Sequence, residues 1–182
     1  MSVEGSEEGL RMVELSVGAQ EHEMSVTPGR RQRVHREQRQ LQTLQDIGTF
    51  RERMERLADN LAEWLAEHEV TITVREMVPV RSAGAYTVPG IVLCHGRNWA
   101  GFTPQALYSV KGGIQLQGEV TLAVDNPRRR PRTEKYMLCM PGHLLSTADW
   151  AIHRDERIPG KGRVLTRELL IATIAPLFDD TT

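Results

Sequence analysis

Between residues 47 and 64 the apolar side chains recur as a heptad. Ile47, Phe50, Met54, Leu57, Leu61 and Trp64 are separated by three, four, three, four and three positions, and Leu65 widens the stripe. At 3.6 residues per turn this spacing lays them along one face of a helix. Arg51, Glu52, Arg53, Glu55, Arg56, Asp59, Glu63 and Glu67 occupy the other faces, with Glu52 and Arg56 an i,i+4 pair in the favourable order. Gly48 weakens the start by about 1 kcal/mol relative to Ala, while Leu41 and Leu44 can extend the helix upstream. Such a helix must cover its stripe, either with a sheet of its own domain or with a second copy. Phe50, Met54, Leu57, Leu61 and Trp64 are therefore also the residues on which a homodimer would close. Three heptads are short for an independent coiled coil, so a dimer would need the sheet as well.

After the helix the period changes to two. Val70, Ile72 and Val74 alternate with Thr71, Thr73 and Arg75, which predicts a half-buried strand. Residues 114–124 alternate most cleanly. Ile114, Leu116, Val120, Leu122 and Val124 share a face with Gly118, against Gln115, Gln117, Glu119 and Thr121. That pattern belongs to an antiparallel sheet with one dry face and one wet face, and Gly118 predicts a bulge. Val88-Pro89-Gly90-Ile91 predicts a type II turn between strands near 84–88 and 91–95. Residues 95–102 read as a loop. Pro104 can open a short helix, whereas Leu107-Tyr108-Ser109-Val110 suits a strand. Lys135–Met140 reads as a strand returning from the arginine-rich segment 128–132. Ser146 and Asp149 signal a short helix to about Asp155, residues 158–163 a loop, and Thr166 the cap of a last helix over Leu169–Phe178 that Pro176 ends.

The expected fold class is α+β. One long amphipathic helix and one or two C-terminal helices pack on an antiparallel sheet of four to six strands. In outline this is similar to small dimeric secretion chaperones and to hot-dog-like ligand-binding folds, a likeness of fold that fixes no function. Residues 41–182 make a single domain. Residues 1–40 are expected to be a disordered charged tail, because no apolar period runs through them. The tail is acidic, then basic: six glutamates against Arg11 in residues 1–23, then Arg30, Arg31, Arg33, Arg36 and Arg39 against Glu37.

Charge and cysteine usage narrow the class of function. Lys plus Arg is 23 against 24 Asp plus Glu, so no global field draws the chain to nucleic acid or to an acidic membrane, and any such binding needs a local patch. Met1–Gly9 carries Glu4, Glu7 and Glu8 without an apolar stretch, so no secretory signal is expected. No run approaches the ~18 apolar residues of a membrane span. Cys94 and Cys139 are read as free thiols in a reducing cytoplasm.

Five chemistries can be built from these residues. Cys94, at a strand end, is the first candidate nucleophile, with His143 or His153 as base and Asp149 or Asp155 orienting it. Adjacent His95 cannot serve, since neighbours on a strand point to opposite faces. Zinc is the second, because Cys139 and His143 are four apart and Cys94 with His95 can complete a set. Pro159-Gly160-Lys161-Gly162 resembles part of an anion loop but lacks the Gly-Lys-Ser/Thr order of a P-loop. Arg128, Arg129, Arg130 and Arg132, with the basic tail, can neutralise phosphates, though no aromatic interleaves them as a stacking platform. Protein recognition is the fifth, with Trp99, Phe102 and the same arginines as the contact surface and Trp150 as a further aromatic. No cofactor motif is legible. The expectation is a non-catalytic cytoplasmic adaptor or chaperone-like accessory protein that binds another protein, as a homodimer. Nucleic-acid binding is the alternative, and a small Cys/His hydrolase or transferase the second alternative.

Overall fold

A computed structural model describes residues 28–77, 86–111, 113–140, 150–154 and 162–179. His143, Asp149, Asp155 and the segment Pro159–Lys161 lie outside these. The chain divides into two units, Met1–Arg36 and Glu37–Thr182. Of the first, residues 28–36 are described, and they are helical.

The long helix α1 spans Pro28–Trp64, so it begins well ahead of residue 41. Residues 28–40 are helical although they carry no apolar stripe, and residues 32–40 are exposed throughout. Proline suits a first helical turn, and the Arg, Gln and Glu that follow have good helix propensity. An absent period therefore marks an absent core contact, not an absent helix.

Seven strands follow: β1 Thr71–Met77, β2 Val88–His95, β3 Asn98–Lys111, β4 Ile114–Asp125, β5 Thr133–Met140, β6 Ala151–His153 and β7 Arg163–Val164. They form one antiparallel meander in sequence order. A second helix, α2, covers Arg167–Ile174, and a 3₁₀ turn covers Ala175–Leu177. Thr166 caps α2 by accepting from the Leu169 amide at 3.3 Å. No helix among the described residues is long and apolar enough to cross a membrane.

Three local expectations are corrected. Ala151–His153 is a strand, because buried Ile152 pairs with Leu138 while its neighbours face the other way. β6 and β7 thus take the sheet beyond six strands. Pro89-Gly90 lies within β2, opposite Glu76 and Arg75, and is not a turn. Residues 98–102 are strand, paired with Leu122–Asp125 and Ile91–His95, so Trp99 is on the sheet and not in a loop. The β2–β3 ladder runs only from Ile91↔Phe102 to His95↔Asn98. Pro89 and Pro104 stand beyond its end, where no ladder amide is required of them. A cleft of about 600 Å³ lies along β3 beyond that point, lined by Gln105, Ala106, Tyr108, Ser109, Val110, Lys111 and Glu119.

The inner sheet face carries the core. Phe50, Met54, Leu57, Leu61 and Leu65 of the heptad join Leu93, Phe102, Leu122, Leu138, Leu170 and Leu177 in one buried cluster, with Trp64 partly buried against it. Each such side chain contributes roughly 1.5–3 kcal/mol by leaving water. The seam is therefore covered by the domain's own sheet. Phe50, Met54, Leu57 and Leu61 are at most 1% exposed, so self-association through them would require unpacking the core. Trp150 belongs to the core as well. It is 3% exposed, its ring centre is 6.1 Å from that of Phe50, and its indole N–H donates to the Arg53 carbonyl.

Candidate functional site: the outer face of the sheet

Strand alternation sends a second set of side chains to the outer face, away from α1. Register aligns Thr71, Cys94, Trp99, Asp125 and Thr133 in one cross-strand row. Val92, Gly101, Ala123 and Lys135 form the next. Trp99 is 39% exposed. Its ring lies over Gly101, where an added Cβ would come within 3.1 Å of the indole. The glycine thus makes room for the ring to lie along the sheet. Phe102, expected beside it, is 0% exposed on the inner face. They are three positions apart, an odd step along a strand, so the two aromatics lie on opposite faces and Phe102 cannot join a contact surface.

The arginine segment is organised by its own carboxylates. Asp125, 4% exposed, accepts from Arg132 Nε at 3.1 Å and Nη2 at 3.1 Å and from Thr133 Oγ1 at 2.6 Å. Arg129 lies 3.6 Å from Glu134 and 3.6 Å from Asp179. Arg130 donates to the carbonyl of Arg129 at 2.9 Å. The Arg128 amide is held by Asn126 Oδ1 at 2.9 Å. Arg129, Arg130 and Arg132 therefore shape the turn, while Arg128, Arg130 and Arg132 keep exposed surface at the end of the sheet where Asp125 pairs with Trp99. Exposed Arg97, in the β2–β3 turn, stands at the same end of the sheet.

A second cluster lies further along the same face. Leu116, Met137, Cys139 and Ala151 pack together, and Cys139 Sγ is 3.3 Å from His153 Nε2. Lys111 Nζ donates to Glu119 at 2.5 Å and to Met137 Sδ at 3.3 Å. Gly162 sits under the imidazole, where a Cβ would come within 2.5 Å of His153 Nε2. Burial pushes the Cys139 thiol up to about 11, with the Glu119 charge adding to the rise and Lys111 opposing it. Burial also lowers His153. Both effects favour the neutral forms, a thiol against an imidazole. A reactive cysteine needs the reverse, a depressed thiol beside a cation.

Among the described residues, the sequence-derived pairings of Cys94 do not assemble; those that use His143, Asp149 or Asp155 lie outside the described residues. Cys94 on β2 and Cys139 on β5 are three strands apart, about 14 Å or more at ~4.8 Å per strand, so they cannot share a zinc ion. Cys94 and His153 are separated by one strand more, which rules out their dyad. No group of three His, Cys, Asp or Glu side chains among the described residues is placed to hold a metal ion.

No protein-family model, curated protein or solved structure matches this chain.

The Cys139–His153 pair escaped sequence reasoning because residues 146–155 read as helical. On a strand, His153 falls directly opposite Met137, and the alternation of Lys135–Met140 already put Cys139 on the same face.

Proposed function

We propose that this chain is a non-catalytic adaptor or regulator that binds another protein through the outer sheet face around Trp99. The observation that carries the reading is the placement of Trp99. A large aromatic stays 39% exposed on a face whose neighbouring row is small at Val92, Gly101 and Ala123 and ends in Lys135. Buried tryptophan and arginine dominate interface energetics, and exposed Arg97, Arg128, Arg130 and Arg132 lie in the turns at the end of the sheet where Trp99 pairs with Cys94 and Asp125. The partner that fits is an acidic protein surface offering an apolar side chain to the indole. The protonation states of Cys139 and His153 argue against nucleophilic chemistry at that pair. The arginines held by Asp125, Glu134 and Asp179 argue against a dedicated phosphate track. A reducing cytoplasm, where Cys94 and Cys139 remain thiols, is the compartment that suits the reading.

The test is capture from a lysate of the source cells on immobilised full-length chain, wild type and Trp99→Ala, with and without nuclease. The expected result is a defined protein held by the wild type, indifferent to nuclease and lost with Trp99→Ala, while thermal unfolding of the two chains coincides. Equal capture by both chains overturns the reading. Loss of capture on nuclease treatment transfers it to nucleic acid.

A further inference from the structure

We propose that Met137, Cys139 and His153 form a binding site for one soft monovalent metal ion, Cu(I) in its chemistry. Three observations carry this. The first is donor spacing. With bonds of about 2.3 Å to sulfur and 2.0 Å to nitrogen, the 3.3 Å between Cys139 Sγ and His153 Nε2 corresponds to an angle of about 100° at a shared ion. That suits trigonal or tetrahedral coordination. The second is the third donor. Met137 is two residues from Cys139 on β5 and directly opposite His153 on β6, so its thioether reaches the same face. Thiolate, thioether and imidazole make a donor set that selects soft ions. The third is the seat of the imidazole. Gly162 leaves space that any side chain would fill, and this lets the ring lie against the backbone just ahead of β7, beside Cys139.

Charge balance selects the ion's valence. Lys111 and Glu119 already neutralise each other at 2.5 Å. Binding breaks the Cys139 S–H bond, releases the proton to solvent and forms a metal–sulfur bond, with no electron transferred. A monovalent ion replaces that proton without changing the net charge of a largely buried cluster. A divalent ion would leave one uncompensated positive charge there, which is costly at low dielectric. Lys111 Nζ now donates to Met137 Sδ; on metal binding it keeps Glu119 as its partner and releases the thioether.

The test uses the full-length Cys94→Ser chain, so that the exposed thiol of Cys94 cannot compete. It is titrated anaerobically with Cu(I) against a chromophoric chelator, and separately with Zn(II). One Cu(I) per chain is expected, with sulfur and nitrogen neighbours in X-ray absorption and little Zn(II) retained. Met137→Leu should weaken Cu(I) by at least about tenfold, and Cys139→Ala should abolish binding. Met137→Leu conserves volume, so it keeps the test open should Cys139→Ala fail to fold. In NMR of the Cys94→Ser chain, the His153 ring signals should move on adding one equivalent. No Cu(I) retained, Zn(II) held as tightly, or Cu(I) affinity unchanged in Met137→Leu would each overturn the proposal.

Discussion

Asn126 Nδ2 donates to the Pro176 carbonyl oxygen at 2.8 Å, fastening the start of the arginine turn to the 3₁₀ turn at the end of the domain. The same amide reaches the Asp179 carbonyl at 3.1 Å, and Asn98 does similar work on Leu177 at 3.0 Å. Asn126 is fully buried, so its loss strands several polar groups at once. Asn126→Ala should lower stability by about 3 kcal/mol, from roughly 1–3 kcal/mol for each unsatisfied group. Urea unfolding will show this as a lower midpoint at unchanged slope. An unchanged midpoint would mean that water satisfies the site.

Trp99 and Phe102 should separate cleanly. Phe102→Ala opens a cavity among Ile91, Leu122 and the heptad side chains and should cost about 3–5 kcal/mol. Trp99→Ala removes a side chain from the wet face and should cost less than about 1 kcal/mol. Thermal unfolding of both variants checks the order. A Trp99→Ala loss as large as that of Phe102→Ala would make the indole a structural residue.

Stability should fall on the alkaline side. Burial raises Cys139 from 9.0 to about 11. Burial, followed by the hydrogen bond to Asp46, raises Tyr108 from 10.0 to about 12. In both cases the unfolded chain loses its proton first. The contribution is thus present below the unfolded value and is lost as pH rises through the folded one, at up to about 1.4 kcal/mol per pH unit for a fully buried group. Urea midpoints should hold to about pH 8.5 and then decline. Cys139→Ala should remove the part between pH 9 and 11 and leave the later Tyr108 part. Parallel declines in the two chains would show that burial does not hold the thiol protonated.

On the acid side the sign reverses. Burial lowers His153, so below about pH 6.5 the unfolded chain binds a proton that the folded chain refuses. The stability contributed by the neutral ring is present above that pH and disappears as pH falls through the folded value. His153→Gln should flatten this limb of the stability–pH curve. A wild-type limb no steeper than that of the variant would remove His153 as its source.

Gly118 and Gly113 make a matched pair. Both have positive φ, 62° and 79°, so alanine at either position pays a left-handed cost of roughly 1–2 kcal/mol. At Gly113 a Cβ meets nothing within 4 Å, whereas at Gly118 it comes within 2.6 Å of Met140 Cγ. Gly118→Ala should therefore be the more destabilising of the two, measured by urea unfolding. Equal losses would show that Met140 moves aside freely.

The heptad and the alternation of residues 120–124 were legible because each encodes which face is dry. Ile47 to Leu65 lie against the inner face as their spacing requires, and Gly118 marks the bulge between Gln117 and Val120. That bulge corrects the expected single face for residues 114–124: the extra residue reverses the alternation, so Leu116 packs with Met137 and Cys139 while Val120, Leu122 and Val124 join the inner core. Short segments were misread because three residues carry no period. Ala151-Ile152-His153 has no signature of its own and becomes a strand only by pairing with Cys139–Met137.

The sequence by itself determined an α+β chain with one long amphipathic helix, a largely antiparallel sheet and free thiols, since periodicity and composition are local properties of the chain. Tertiary structure alone decided that Phe102 is inside and Trp99 outside, that Asp125 holds Arg132, and that Cys139 meets His153 rather than Cys94. Those outcomes depend on strand order and register, which are set by the joint burial of residues far apart along the chain.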